Sequence, residues 1–154
     1  MVIRPLQPDD LPHIKNIALA LHPKWFDTNA MIHIPIDAQL GKSFVAEDQN
    51  TICGFIILSS LEGVVWINWM GVDPEYQGQL IGTNLLTYIE NVLTKLGVKE
   101  LRINTVVEQV PKDGTYDRTV QFYLKNGFAI VKKEEQQTFH EFVFRRGILL
   151  KRLG

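Results

Sequence analysis

The residues best placed to do chemistry are Gln77-Gly78-Gln79-Leu80-Ile81-Gly82-Thr83, which join two apolar runs of different period. Before them, Val64-Val65-Trp66-Ile67-Asn68-Trp69-Met70 reads as a strand. After them, Leu85, Leu86, Ile89, Val92, Leu93 and Leu96 recur at helical spacing. A strand, a glycine-containing turn and a helix start aim several backbone N–H groups at one spot. The helix dipole favours negative charge there, so the turn is a candidate phosphate site. Gly78 and Gly82 let a ligand approach the backbone closely. Gln77 adds a neutral donor where Arg would add charge. No Lys-Ser/Thr pair follows the glycines and the GxGxxG spacing is absent, which speaks against a P-loop or a Rossmann site. On spacing alone, a plain strand-to-helix turn with two ordinary glycines accounts for the motif equally well.

Other reactive groups are sparse. Cys53 is the one cysteine and lies in the apolar run Ile52-Cys53-Gly54-Phe55-Ile56-Ile57-Leu58, so it reads as a buried structural thiol rather than a nucleophile. His13, His22, His33 and His140 lack metal-ligand spacing, and no metal is expected. The chain has 154 residues, with 16 Lys and Arg against 17 Asp and Glu. That length fits one domain spanning residues 1–154. The charge balance gives no basic footprint for nucleic acid. The basic cluster Arg145-Arg146 with Lys151-Arg152 reads as a solvated end. No signal-peptide core and no membrane-length apolar run is present, so a cytoplasmic location and no membrane partner are expected.

The elements that must position the turn follow from periodicity. Residues 2–6 read as a strand, and Pro8-Asp9-Asp10 opens a helix carrying Leu11, Ile14, Ile17, Ala18 and Leu21. Residues 22–41 read as a loop with a short helix or irregular piece. Residues 43–47 and 52–59 read as strands across an Asp48-Gln49-Asn50 turn, and Leu61-Glu62-Gly63 turns into the strand at Val64. The helix after the glycine turn runs to about Leu96, with Gly97 as its C-cap. Residues 98–107 read as a strand and residues 108–116 as a polar loop. A second helix carries Val120, Phe122, Tyr123 and Leu124 and ends at Asn126-Gly127. Residues 128–132 and 138–144 read as a closing antiparallel pair. The order predicts a mixed α/β (α+β) sheet rather than regular βαβ alternation.

Three segments make the chain resemble the GNAT superfamily of acetyl-CoA-dependent N-acetyltransferases. Ile3-Arg4-Pro5-Leu6-Gln7-Pro8-Asp9-Asp10-Leu11 is similar to the family's first strand and helix start. Val72 to Gly82 is similar to its pyrophosphate motif, Gln/Arg-x-x-Gly-x-Gly/Ala. Phe122-Tyr123-Leu124-Lys125-Asn126-Gly127-Phe128 is similar to its second signature. Two positions depart: Leu80 replaces the motif's first glycine, and Tyr116 stands where an Asn is usual, seven residues before the signature tyrosine. A Leu at a helix N-terminus is tolerable if its φ is negative and its side chain points away from the phosphates.

The resemblance implies a mostly antiparallel sheet of about six to seven strands, splayed in the middle, with about four helices on both faces. It implies an enzyme moving an acetyl group from acetyl-CoA to a primary amine by direct attack in a ternary complex. Backbone N–H groups of Gln77, Gly78, Gln79, Leu80, Ile81, Gly82 and Thr83 would face the pyrophosphate. The Met70 and Val72 backbone would bond the pantetheine arm of acetyl-CoA. Tyr123, which by itself reads as a core aromatic beside Phe122, becomes the general acid for the leaving thiolate. Asn104 takes a position where some family members carry a catalytic Glu. Glu62, Glu108, His140 and Glu141 remain as bases, each by default a solvated residue, and a water chain is the alternative. Trp25, Phe26, Met31, His33 and Tyr116 are candidates to wall an acceptor pocket, and read equally well as core or rim. Pairing of subunits into a homodimer through a C-terminal strand is left open. The rival readings are a CoA-binding sensor or interaction module with little catalysis, and a nucleotide-binding domain using the same turn.

Overall fold

A computed structural model of the chain describes residues 1–22, 26–112, 114–139 and 142–154. The readings placed on Trp25, His140 and Glu141 therefore lie outside the described residues. The strands are β1 (Val2–Pro5), β2 (Lys42–Asp48), β3 (Thr51–Leu61), β4 (Val64–Val72), β5 (Glu100–Val110), β6 (Ala129–Lys133), β7 (Gln137–Phe139) and β8 (Phe142–Arg152). They form one eight-stranded sheet in the order β1-β2-β3-β4-β5-β8-β6, with β7 also paired to β8. The helices are α1 (Leu11–Leu21), α2 (Thr28–Leu40), α3 (Ile81–Lys95) and α4 (Thr115–Lys125).

Short connections set the antiparallel pairs. Gln49 and Asn50 both take positive φ (48° and 67°), the two-residue turn whose twist matches a hairpin. β3 is buried on both faces, as a strand in a two-layered core must be. Cys53, Ile56 and Leu58 pack with Leu85, Leu86 and Ile89 of α3 on one face. Phe55 and Ile57 pack with Ile14 and Ile17 of α1 and Ala30 and Ile34 of α2 on the other. Each helix thus seals one side of the sheet with its apolar face.

Four expectations change. Residues 28–40 form a full helix rather than an irregular piece: Asp27 caps it, its Oδ1 accepting the Ala30 N–H at 2.8 Å, although Pro35 stands inside. β5 runs on to Val110, so the polar loop expected over residues 108–116 shrinks to the segment before Thr115. The basic C-terminus is an inner strand rather than an end, although Arg146 and Arg152 stay exposed as a solvated cluster would. Arg145, Arg146, Lys151 and Arg152 belong to β8, which lies between β5 and β6 with Leu149 fully buried. The closing pair is accordingly β6 with residues 147–150 of β8, not with residues 138–144. With β5 on one side and β6 and β7 on the other, β8 presents no open edge to a second subunit along these pairings.

The splay in the middle of the sheet is real and sharply bounded. β4 and β5 run parallel and pair at Val65 with Leu101, Trp66 with Arg102 and Ile67 with Ile103. Beyond that each keeps its outer neighbour: β4 stays on β3 as far as Val72 opposite Gly54, and β5 stays on β8 as far as Val110 opposite Val143. At the parting, Ile67 opposes Leu58 and Trp69 opposes Ile57, which leaves Asn68 as an extra residue in β4. Such a bulge bends its strand and ends local pairing.

Candidate active site

The parted ends of β4 and β5 open a cleft of about 1190 Å³ that passes between the two faces of the sheet. β4 contributes Trp66 to Val72 and β5 contributes Ile103 to Val106. On one face the cleft reaches the glycine turn, the start of α3 and α4; on the other it reaches Leu21 of α1, Phe26 and α2. Of the predicted site residues, Met70, Val72, Gln77, Gly78, Leu80, Ile81, Gly82, Thr83 and Tyr123 all line it, whereas Gln79 does not.

The turn is built from local signals. Asp73 accepts the Glu75 N–H at 2.9 Å and starts a single 3-10 turn over Pro74–Tyr76. Gly78 then takes φ 84°, where a side chain would be strained. Leu80 is the N-cap of α3 and takes φ 60° and ψ 21°. The negative φ that would make a Leu easily tolerated here is therefore not adopted; the chain needs a left-handed residue here to swing into the helix. Leu80 offers no side-chain cap, and the first α3 N–H with an acceptor inside the helix is that of Asn84, bonded to the Leu80 carbonyl at 2.9 Å. The N–H groups before it are orphans of the helix end, which suits an anion. Gly82 is tightly packed: a Cβ there would lie 3.1 Å from Cζ of Phe122, so that ring would have to give by a few tenths of an ångström.

Tyr123 sits on α4, only 3% exposed, with its ring edge-on to Phe122 at 5.2 Å and to Phe128 at 5.3 Å. It is both a core aromatic and a cleft residue. Burial raises its phenol pKa well above the usual value, because the phenolate would be poorly solvated. The group is therefore held protonated, as a proton donor must be.

The other candidates are scattered. Glu62 lies in the β3–β4 turn, at the end of β4 remote from the splay. Glu108 is exposed and committed to Lys133 at 2.6 Å, with Arg145 at 3.8 Å; these partners hold its carboxyl below the usual range. Asn104 lines the cleft but is occupied at both ends, donating to Glu134 and accepting from Arg146 Nε, each at 3.0 Å. Phe26 and Tyr116 line the cleft, whereas Met31 packs into the α1–α2 core and His33 is exposed on α2; neither of these two reaches the cleft. Cys53 is fully buried, its pKa raised by burial, and its Sγ faces the Ala46 carbonyl at 3.4 Å.

Sequence reasoning missed the carboxylates of the cleft, Asp27 and Asp37. Asp37 on α2 accepts the Trp69 indole N–H at 2.7 Å. Trp69 in turn stands edge-on to Phe26, with centroids 6.0 Å apart at 89°. The available signal was the Asp27 cap with Ala30, Ile34 and Ala38 at four-residue spacing, which defines a helix and puts Asp37 beside its buried stripe.

A family model described as an acetyltransferase (GNAT) domain matches residues 39–130 of the 154. No curated protein matches the sequence. Among solved structures, the ribosomal-protein-S18-alanine N-acetyltransferase of Escherichia coli is similar at TM-score 0.80 and 19% identity, over 99% of this chain and 94% of that one. An aminoglycoside 6'-N-acetyltransferase complexed with coenzyme A is similar at TM-score 0.79 and 15% identity, over 99% and 97%. The PaiA N-acetyltransferase of Thermoplasma acidophilum, in complex with coenzyme A, is similar at TM-score 0.73 and 20% identity, over 98% of each chain. At these identities the likeness is one of fold.

Proposed function

The chain belongs to the GNAT acetyltransferase family, and on that premise we propose that it moves the acetyl group of acetyl-CoA onto a primary amine by direct attack in a ternary complex. The observation that carries this reading is the parting of β4 from β5 after Ile67 and Ile103. It leaves strand backbone facing an open cleft. An extended amide-bearing arm can lie there as an added strand, with Met70 and Val72 bonding it. The backbone N–H groups of Gly78 and of Leu80 to Thr83 would take the pyrophosphate on the α3 side, whereas that of Gln77 is spent on the Pro74 carbonyl. The amine would enter from the α1–α2 side.

The nitrogen attacks as the free base, since the ammonium has no lone pair. Its lone pair forms the C–N bond, and a backbone N–H at the splay stabilises the oxyanion. Collapse breaks the C–S bond, and the Tyr123 hydroxyl donates its proton to the leaving sulfur. The phenol is the weaker acid in water, but a thiolate desolvated in the same cleft is also harder to leave charged. Tyr123 therefore assists. The proton lost by nitrogen would leave through water; of the described candidate bases, Glu62 and Glu108 stand away from the cleft.

Thiol release from acetyl-CoA with a panel of amines tests the reading. Tyr123→Phe removes one oxygen and keeps the ring packing, so it is expected to lower kcat about a hundredfold, the lower end for a general acid. Unchanged turnover would sink the assignment. The second reading, a CoA-binding module with little catalysis, is favoured by Leu80 at the grip; CoA binding with no thiol release for any amine would select it.

A further inference from the structure

The charged groups that line the cleft are segregated. Among the described residues they are Asp27 and Asp37 from α2 and its cap, and Arg118, Lys125 and Arg146 from α4 and β8. The cations stand on the side of α4 and β8, and the α2 wall carries only carboxylates. A cleft divided in this way suits an anionic ligand on one side and a cationic one on the other.

Asp37 is held for such a role. One carboxylate oxygen, Oδ2, accepts the Trp69 N–H at 2.7 Å, which fixes the group and leaves Oδ1 for another donor. The rings of Phe26, Trp66 and Trp69 line the same cleft, and aromatic faces beside a carboxylate favour an ammonium. The nitrogen that reacts is not the one we assign to Asp37. A carboxylate beside an ammonium stabilises the charged form, and so would keep on it the proton that attack requires it to lose. Asp37, fixed by Trp69, is best suited to a positive charge that stays, elsewhere on the acceptor.

We propose that Asp37, oriented by Trp69 and flanked by the Phe26 ring, anchors a second cationic group of the acceptor, so that the preferred acceptors are diamines rather than monoamines. This rests on the transfer reading above for its setting. Asp37 is then a specificity-determining residue that leaves the reacting nitrogen free to lose its proton.

The test is calorimetric titration of the full chain, with and without coenzyme A. The probes are linear diamines from diaminopropane to diaminohexane, each beside the monoamine of equal chain length. At least one diamine is expected to bind about tenfold or more tighter than its monoamine, the factor a charge-assisted hydrogen bond supplies. Asp37→Asn keeps the side chain's shape and an oxygen for the Trp69 N–H, and is expected to erase that preference. Equal binding of every matched pair, or a preference that survives Asp37→Asn, would overturn the proposal. Diamine binding through Asp37 without thiol release would defeat the transfer reading and leave this one standing. Thiol release that favours no diamine over its monoamine would do the reverse.

Discussion

Leu80 gives the sharpest test of how the turn is built. It takes φ 60° at the N-cap of α3, where the Cβ of an L-residue crowds the following carbonyl and costs about 1–2 kcal/mol. Its side chain is 69% exposed, so burial returns less than about 1 kcal/mol. Leu80→Ala and Leu80→Gly differ from each other only by the Cβ, and the pair isolates the strain. In an ordinary helical position Gly is less stable than Ala by about 0.5–1 kcal/mol, because the unfolded chain gains freedom. At Leu80 the strain released outweighs that loss, so the Gly variant is expected to be more stable than the Ala variant by about 0.5–1 kcal/mol. In a domain of this size that is a rise in Tm of roughly 1–4 °C. Urea unfolding at equal m reads the same difference as a shift in midpoint. A Gly variant that unfolds at or below the Ala midpoint would refute the strain argument. The same variants titrated with coenzyme A test the grip: Leu80→Gly is expected to bind more tightly than the natural chain, since it removes a bulky group from the rim of the N–H cradle.

Further outcomes follow from the packing around the site and at the first strand. Arg4 holds Asp10 with two bonds, of 2.7 and 2.9 Å, and Asp10 is 5% exposed with its carboxyl below the usual range because of that guanidinium. Arg4→Met leaves the carboxylate on the Gln7 N–H alone and is expected to cost about 2–3 kcal/mol near neutral pH. Because the folded pKa is depressed, the pair's contribution is complete above about pH 4 and lost as the pH falls below it. The gap between natural chain and variant should therefore narrow at about pH 3, and an equal gap in urea titrations at both pH values would count against it. Gly82→Ala forces the Phe122 ring aside, since the new Cβ would lie 3.1 Å from it, and that ring abuts Tyr123. We expect kcat to fall about tenfold with a Tm change of only a few degrees; intact turnover would show the contact to be slack. Cys53 is fully buried with a raised pKa, so Cys53→Ala should keep full turnover and lose about 1 kcal/mol of stability, whereas loss of turnover would contradict direct attack.

The α3 side of the cleft was legible because its signals are local. The helical spacing of Leu85, Leu86, Ile89 and Leu93 and the glycines on either side of Leu80 all act within one strand-turn-helix unit. The α2 side was not. Ile32, Ile36 and Leu40 are exposed while Ala30, Ile34 and Ala38 are buried, so the apolar residues ring the helix and blur its period, and Pro35 reads as a breaker. β8 was missed for a different reason. Its arginines and lysines look solvated in isolation, yet Arg146 reaches Asn104 and Arg145 stands by Glu108 across the sheet, pairings set by a register that joins residues some forty apart.

The cleft itself depends on a feature that no periodicity reveals. Val64 to Met70 reads as one unbroken apolar strand. With strict alternation, Trp69 would share the face of Val65 and Ile67, toward α3. Asn68 is an extra residue, and it reverses everything after it. Trp69 turns to the α1–α2 core, where it meets Phe26 and donates to Asp37. Met70 and Val72 turn to the α3 face, beside the turn that would hold the cofactor. The same bulge bends β4 from β5 where their pairing ends. One inserted residue therefore opens the cleft and assigns its two walls, so that Asp37 stands on one and the uncapped start of α3 on the other.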